Sequence, residues 1–341
     1  MTRRGPADDS LGYATLGELV PEARLRRLEL AINRRLDGLL HGQYLGLLPG
    51  PGSECAGSRE YRPGEDEVRR MDWAVTARTT LPHVREVDAD RELTTWLLVD
   101  STPSMDFGTA EVEKRELAVA AAAAVGFLTA GSGNRLGAHL LGPEGVRRFP
   151  ARTGRTHLLS LLRTMLAAPR GADQARPPSL AETISALNSA TPRRGLAVVV
   201  SDLLDGLPDA DTGEPTWERP LRRLAARHQV LVIEVTDPRE LELPDVGVIT
   251  FVDPEGGHRR EVSTGDRRVR ERFAEAAAAQ RQLVAGAVRR TGAAHLVLRT
   301  DRDWIADIAR HVQSRRRLAR AGAPARQPAA TATLTGPGGV R

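Results

Sequence analysis

The regular alternation of short apolar runs with longer amphipathic segments constrains the fold of this chain more than any other feature. The runs TTWLLVD (94–100), GLAVVVSD (195–202) and QVLVIEVTD (229–237) have the length and β-branched content of buried strands. The segments between them have helical length, as in EVEKRELAVAAAAAVGFLTA (111–130). Strands that alternate with helices form a mostly parallel sheet with helices on both faces. The sequence therefore predicts a doubly wound α/β fold over residues 93–318.

Two hairpins interrupt this alternation. NRLGAHLLG reads as a strand, and GVRRFP is predicted to form a short hairpin partner for it. A second hairpin is predicted in VGVITFVDPEGGHRREV. The remaining elements follow the alternation, with helices in THLLSLLRTMLAA, SLAETISALNSA, PTWERPLRRLAARH, DRRVRERFAEAAAAQRQLVAGAVRRTG and DRDWIADIARHVQSRR, and a last strand in AHLVLRT.

The segments outside this domain differ in composition. Pro21–Leu40 carries apolar residues at positions 25, 28, 32, 36 and 39, which predicts an amphipathic N-terminal helix. That helix and a charged segment make up residues 21–92, preceded by a flexible N-terminus over 1–20. Residues 319–341 are rich in Pro, Ala, Thr and Gly, which predicts a disordered tail.

The amino-acid composition limits the cellular compartment and the classes of partner that we expect for this chain. Cys55 is the single cysteine, so no intrachain disulfide or cysteine zinc site can form, which favours a reducing, cytoplasmic setting. No signal peptide or membrane span is predicted. The net charge of +5 raises nucleic acid as a partner, but the arginines are mixed with acids and aromatics make up only 4%. We therefore expect no nucleic-acid partner.

Polar side chains follow the predicted strands. Asp100, Thr102 and Ser104 come after the first run, Thr156 begins a helix, and Asp202 ends the run at 195–202. Ligands of such sheets bind at the carboxyl ends of the strands, near the point where the strand order reverses. All five residues offer oxygen ligands, which suit Mg²⁺ above all, with Ca²⁺ or Mn²⁺ as alternatives. Each residue also has a structural reading, because Asp, Ser and Thr commonly form turns and helix caps.

These residues resemble a known pattern. The chain is similar to the von Willebrand factor A fold, whose metal ion-dependent adhesion site has an Asp-x-Ser-x-Ser loop, a distant Thr and a distant Asp; Thr102 stands where a Ser is usual. More narrowly, SREYRPGEDEVRRMDWAVTAR followed by VDSTPSMDFG resembles the domain-of-unknown-function 58 family. The matching positions before the domain are Arg59, Tyr61, Gly64, Asp66, Arg69, Asp72, Trp73, Ala77 and Arg78.

The resemblance implies a function and a partner. It assigns Asp100, Thr102, Ser104, Thr156 and Asp202 to the metal site, and it implies association with a MoxR-type AAA+ ATPase in a chaperone-like or complex-assembly role. The positions at 59–78 allow two interpretations: an ion-pair network anchored by the apolar bodies of Tyr61 and Trp73, or a surface that recognises a partner.

An enzymatic reading remains as the alternative. A metal-dependent phosphoester hydrolase could use Asp100, since the strand followed by Asp-x-x-x-Ser resembles the haloacid-dehalogenase phosphatases. That resemblance implies a second carboxylate two residues later as the general acid, and Thr102 stands there instead. The chain contains no Gly-x-Ser-x-Gly elbow and no phosphate-binding P-loop motif. The sequence therefore favours a non-enzymatic, metal-dependent protein-binding module.

Overall fold

Buried apolar strands assemble into one central sheet. The computed structural model describes residues 25–26, 28–32, 34–35, 57–61, 68, 71–79, 81–86, 93–110, 112–129, 133–170, 178–208, 213–252 and 259–322. The strands of the central sheet are β3 (Thr94–Asp100), β4 (Arg135–Gly142), β5 (Gly145–Arg152), β6 (Leu196–Ser201), β7 (Gln229–Thr236) and β10 (Ala294–Arg299). Their order is β10-β7-β6-β3-β4-β5, and only β5 runs antiparallel to its neighbour.

The chain begins this sheet at β3 and adds β4 and β5 on one side before it crosses to β6 on the other. The strand order therefore reverses between β3 and β6. We call the edge at which β3, β6, β7 and β10 end the carboxyl edge. A crevice for ligands is expected there, between the ends of β3 and β6.

Helices cover both faces because successive side chains of a buried strand point to opposite sides. The helices of the domain are α2 (Lys114–Thr129), α3 (Arg155–Leu166), α4 (Leu180–Ala190), α5 (Glu218–Arg227), α6 (Arg267–Thr291) and α7 (Trp304–Gly322). One apolar core joins α2, α3 and α7 to Leu97 and Val99 of β3. The other joins α4, α5 and α6 to Leu98 of β3. The predicted doubly wound, mostly parallel architecture is confirmed.

Two smaller sheets stand outside the central one. The strands β1 (Gly57–Glu60) and β2 (His83–Glu86) form an antiparallel pair that encloses α1 (Trp73–Thr79). The strands β8 (Val248–Val252) and β9 (Arg259–Ser263) pair as the predicted second hairpin. The first predicted hairpin is β4–β5, closed by a short turn between Gly142 and Gly145.

The N-terminal helix belongs to the core of the domain. Helical residues within 25–35 place Leu25, Leu28 and Ile32 in the same core as α2 and α7. Glu29 also accepts two hydrogen bonds, of 2.7 and 2.6 Å, from the Arg155 guanidinium of α3. The helix is therefore packed on the domain that it precedes. The predicted flexible N-terminus (1–20), Cys55 and residues 323–341 of the predicted tail lie outside the described residues. The prediction of a tail from residue 319 is wrong in its boundary, because α7 continues to Gly322. Within the described part of the chain, none of the helices is both long and apolar enough to span a bilayer.

Candidate functional site at the carboxyl edge

The loop after β3 folds back on its own aspartate. Asp100 ends the strand with its side chain buried, and its Oδ1 accepts hydrogen bonds from the Thr102 amide at 3.0 Å and the Thr102 hydroxyl at 2.7 Å. The Thr102 and Ser104 hydroxyl oxygens lie 3.2 Å apart. A short 3-10 helix, Pro103–Asp106, holds this curl. The structure therefore brings Asp100, Thr102 and Ser104 together.

The neighbouring strand β6 supplies a contact that sequence reasoning missed. The buried Ser201 hydroxyl donates to Asp100 Oδ2 at 2.7 Å and accepts from the Leu203 amide at 3.0 Å. Leu203 has a φ of 60° and a buried side chain, so the chain turns sharply just after Asp202. Both carboxylate oxygens of Asp100 therefore have donors from within the chain.

Asp202 forms an ion pair with a buried lysine. The Nζ atom of Lys114, at the start of α2, lies 2.9 Å from Asp202 Oδ2 and also pairs with Glu240 Oε1. The Lys114 side chain is 1% exposed and that of Asp202 is 3% exposed. The Leu204 amide donates to the other oxygen of Asp202 at 3.2 Å. We call Asp100, Ser201, Asp202, Lys114 and Glu240 the carboxyl-edge site.

Burial and charge shift the ionisation of this site. Burial, and then the nearby charge of Asp202, raise the pKa of Asp100 to about 6. Burial opposes the charge of Lys114, yet Asp202 and Glu240 together hold the pKa of its ammonium above the usual range. The lysine therefore remains an ammonium ion although it is enclosed by protein.

A second buried aspartate fastens the first loop to β7. Asp237 is fully buried and accepts hydrogen bonds from the Thr109 amide at 2.8 Å, the Thr109 hydroxyl, the Thr300 hydroxyl at 2.7 Å and the Arg239 amide at 2.9 Å. Although burial disfavours its charge, these donors, those of Thr109 foremost, hold the pKa of Asp237 below its ordinary value. The loop after β3 is thus tied to the ends of β7 and β10.

Arg115 ties the same loop to the segment after α3. Its buried guanidinium donates to the Ser101 carbonyl at 2.9 Å, the Ala168 carbonyl at 3.1 Å and the Pro169 carbonyl at 2.9 Å. The C-terminal end of α3 is thereby held at the carboxyl edge. The stretch that follows it, residues 171–177, lies outside the described residues.

Thr156 is not part of the site. The pairing of β4 with β5 sets Leu136, at the start of β4, opposite Arg152, whereas Leu141, near its end, lies beside Asp100. Five residues of strand, about 16 Å, separate these two levels. The side chain of His157 contacts the Leu136 carbonyl at 2.9 Å, which fixes the start of α3 at the amino-terminal edge. The structure therefore does not bring Thr156 to Asp100, Thr102, Ser104 and Asp202.

The positions of the five predicted ligands decide whether the expected divalent cation fits this site. Three of the five predicted ligands converge, Thr156 lies at the opposite edge, and the Oδ2 atom of Asp202 already has an ammonium at 2.9 Å. No group of three or more His, Cys, Asp or Glu residues arranged to hold a metal occurs among the residues that the structure describes. The residues present do not fit the five-ligand site expected from the sequence.

In the charged segment before the domain, Asp72 caps a helix, whereas the side chain of Trp73 is exposed. Asp72 Oδ1 accepts from the amides of Ala74 at 3.1 Å and Val75 at 3.2 Å, which caps the first turn of α1. Trp73 is 66% exposed, so the expectation that its ring anchors the segment to the domain is not supported. Tyr61 is partly buried, and its amide donates to the Pro82 carbonyl at 2.8 Å.

Arg78, also in this segment, forms a hydrogen bond within its own helix. The Arg78 Nε atom donates to the Ala74 carbonyl at 3.1 Å, one turn earlier in α1. Gly64, Asp66 and Arg69, together with the side chain of Arg59, lie outside the described residues, so the predicted ion-pair network stays a prediction.

The sequence carries a signal for Lys114 that motif reasoning overlooked. Lysine and arginine together number 49, and Lys114 is the single lysine, which leaves 48 arginines. Because lysine and arginine bind anions with different geometry, the lone lysine among so many arginines singles out position 114. Ser201 and Asp237 are harder to find, because a polar residue at the end of a strand is common.

Comparison with known proteins identifies relatives. The family described as "Protein of unknown function DUF58" matches residues 57–283, more than half of the chain. An uncharacterized protein of Mycobacterium tuberculosis is 57% identical over 300 residues, which cover 88% of this chain and 91% of the relative. An uncharacterized protein of Mycobacterium avium is 51% identical over 175 residues, covering 51% of this chain and 98% of the relative.

Solved structures resemble the chain more distantly. The conserved hypothetical protein BatB from Bacteroides thetaiotaomicron has a TM-score of 0.41 at 14% identity, covering 66% of this chain and 99% of its own. A von Willebrand factor type A protein from Catenulispora acidiphila has a TM-score of 0.34 at 10% identity, covering 69% of this chain and 43% of its own.

Proposed function

We propose that this chain, which belongs to the DUF58 family, is a non-catalytic module that binds a protein partner at its carboxyl edge. The contact surface is built around the carboxyl-edge site, where the strand order reverses between β3 and β6. The site orders the two loops that follow these strands, and the loops present side chains to the partner.

The observation that carries this proposal is a pair of exposed apolar side chains beside the buried ionic site. Phe107 is 40% exposed on the loop after β3, and Leu204 is 38% exposed on the loop after β6. Both loops are fixed from beneath, the first by Asp237 and the second by Ser201. Rigid loops that expose aromatic and aliphatic side chains are typical of protein-binding surfaces.

The bonding of Asp100 supports a structural role for this residue over a nucleophilic one. A carboxylate that attacks phosphorus needs a free oxygen that faces the substrate. Thr102 donates to one oxygen of Asp100 and Ser201 donates to the other, and the side chain is buried. The hydrolase alternative would require one of these oxygens to lose its donor and face the substrate before each reaction.

The partner proposed is a MoxR-type AAA+ ATPase encoded in the same genome, or one of its clients. The support for this class is the family resemblance of the segment at 59–78 together with the family match. Within the segment, the exposed Trp73 offers a second apolar contact. An aromatic side chain that is not needed for packing is available to a partner.

Binding of the purified ATPase to purified variants tests the proposal. Phe107→Ser combined with Leu204→Ser should weaken binding by about tenfold or more, because both remove apolar contact area at the centre of the surface. Val297→Ser is the matched control, since Val297 is 37% exposed on the outer strand β10. Each affinity is measured once in Mg²⁺ and once in EDTA.

Two results would contradict the proposal. Equal affinities of the double variant and the control would place the contact elsewhere. Hydrolysis of p-nitrophenyl phosphate by the wild-type chain, abolished by Asp100→Asn with folding intact, would favour the phosphoester hydrolase instead.

A further inference from the structure

We infer that the ammonium group of Lys114, and not a divalent metal ion, is the resident cation of the carboxyl-edge site. The chain thus carries its own positive charge on Asp202, one of the five residues to which the sequence pattern assigns Mg²⁺. This concerns the chemistry of the site alone and does not depend on which partner, if any, the site helps to bind.

Lys114 lies buried between two carboxylates. Its side chain is 1% exposed, and its Nζ atom lies between Asp202 and Glu240, 2.9 Å from Asp202 Oδ2. The ring of Phe107 faces the same ammonium with its centroid at 5.8 Å. Two carboxylates and an aromatic face together form an environment that is selective for a cation.

A divalent ion would compete with Lys114 for the same carboxylate oxygen of Asp202. A bound Mg²⁺ lies about 2.1 Å from each oxygen ligand. At Asp202 Oδ2 it would stand close to an enclosed ammonium, and like charges repel strongly where water is excluded. At Asp100 an incoming ion would have to share oxygens that already accept from Thr102 and from Ser201.

Lysine suits this position better than arginine does. A closed position between two carboxylates suits a compact point charge with three donors, whereas a planar guanidinium needs more room and a fork-shaped partner. This chain uses arginine at every other basic position, 48 in all, and lysine only here. The residue type therefore agrees with a tethered substitute for a metal ion.

The first experiment uses the wild-type chain without any partner. Electron paramagnetic resonance of Mn²⁺ titrated into the protein should show no stoichiometric binding at millimolar concentration. The melting temperature should be the same in EDTA and in 10 mM Mg²⁺, because no ion binds the native state. Stoichiometric Mn²⁺ binding that disappears in Asp202→Ala would overturn the inference.

The second experiment removes the ammonium. Lys114→Met keeps much of the side-chain length but leaves two carboxylates without their cation, so the melting temperature in EDTA should fall by about 10 °C. Millimolar Mg²⁺ or Mn²⁺ should restore part of that loss by binding in the vacated place. A melting temperature equal to that of the wild type would overturn the inference, as would a loss that neither ion reduces.

Arg290→Met is the matched control for this variant. Arg290 pairs at 2.6 Å with Glu218, a fully buried carboxylate outside the carboxyl-edge site that also pairs with Arg222. Its removal should also lower the melting temperature, but divalent ions should not restore it. If Lys114→Met does not fold, Lys114→Met with Asp202→Asn should fold again, because the more deeply buried of the two uncompensated charges is then gone and Glu240 is 25% exposed. Failure of both variants to fold would overturn the inference.

Discussion

The hydroxyl of Ser201 donates a hydrogen bond of 2.7 Å to Asp100 and so joins the ends of the two strands between which the strand order reverses. The same hydroxyl accepts from the Leu203 amide, which sits in a left-handed backbone conformation. A single small side chain thus fixes both the carboxylate of the first loop and the turn of the second. The two loops of the proposed binding surface are coupled through it.

Ser201→Ala should destabilise the protein by about 2–3 kcal/mol. The substitution leaves a buried carboxylate oxygen and a buried amide without a partner, and such groups cost more than the bond itself. Urea denaturation measures the loss. Ser185→Ala is the control, because the Ser185 hydroxyl is exposed and donates only to the Ala181 carbonyl of its own helix. A change in Ser201→Ala as small as the control would contradict the coupling.

Asp237→Asn should cost about 2–4 kcal/mol and loosen the loop after β3. The fully buried Asp237 accepts from four donors, and the amide group of asparagine would turn two of its own hydrogens toward them. Hydrogen exchange of the Thr109 amide should accelerate. Asp266→Asn is the control, since Asp266 is an exposed helix cap and asparagine caps helices equally well. Unchanged exchange at Thr109 would contradict the prediction.

His139 makes stability depend on pH. Burial, and then the charge of Arg148, lower the pKa of His139 from 6.5 to about 4. Between these values the unfolded chain binds more protons than the folded one, so stability falls as pH falls from 6.5 toward 4. The loss attributable to His139 is about 2 kcal/mol at pH 5.

Urea denaturation of His139→Leu at pH 7 and pH 5 isolates this contribution. The wild-type curve also contains His311, whose pKa is lowered to about 4 by burial and by nearby positive charge. The variant should therefore keep part of the pH dependence and lose the His139 share. Identical pH dependence in the two proteins would show that His139 does not contribute.

Trp73→Ser should leave the unfolding free energy within about 0.5 kcal/mol of the wild type. The side chain is 66% exposed, so its removal deletes little packing. The same variant is expected to weaken binding of the ATPase partner. Trp217→Leu is the contrasting case, because Trp217 is fully buried in the core beneath α5 and its truncation should cost several kcal/mol. A large loss of stability in Trp73→Ser would instead support the interpretation that the Trp73 ring anchors the segment to the domain.

The sequence predicts the sheet because its evidence is local. The runs at 94–100 and 229–237 appear as β3 and β7 within a residue of their predicted ends, since a strand buried on both faces needs a continuous apolar run. The curl of Asp100, Thr102 and Ser104 was equally predictable, because three residues so close in sequence meet through one turn.

The error at Thr156 has a physical cause that the sequence also contained. A strand that pairs back through a tight turn runs antiparallel, so the helix after it begins at the opposite edge of the sheet. The glycines at 142 and 145 mark that turn. The prediction of the β4–β5 hairpin therefore implied that Thr156 could not reach Asp100.

By itself, the sequence determined the alternation of strands and helices, the membership of the family and the loop that begins at Asp100, because each depends on neighbouring residues. Only the tertiary structure decided which distant groups share the buried space at the carboxyl edge. Lys114 and Asp202 are 88 residues apart, and their pairing depends on how α2 packs across the ends of β3 and β6. Because charges interact through space, the cation at this site is set by the fold and not by a local motif.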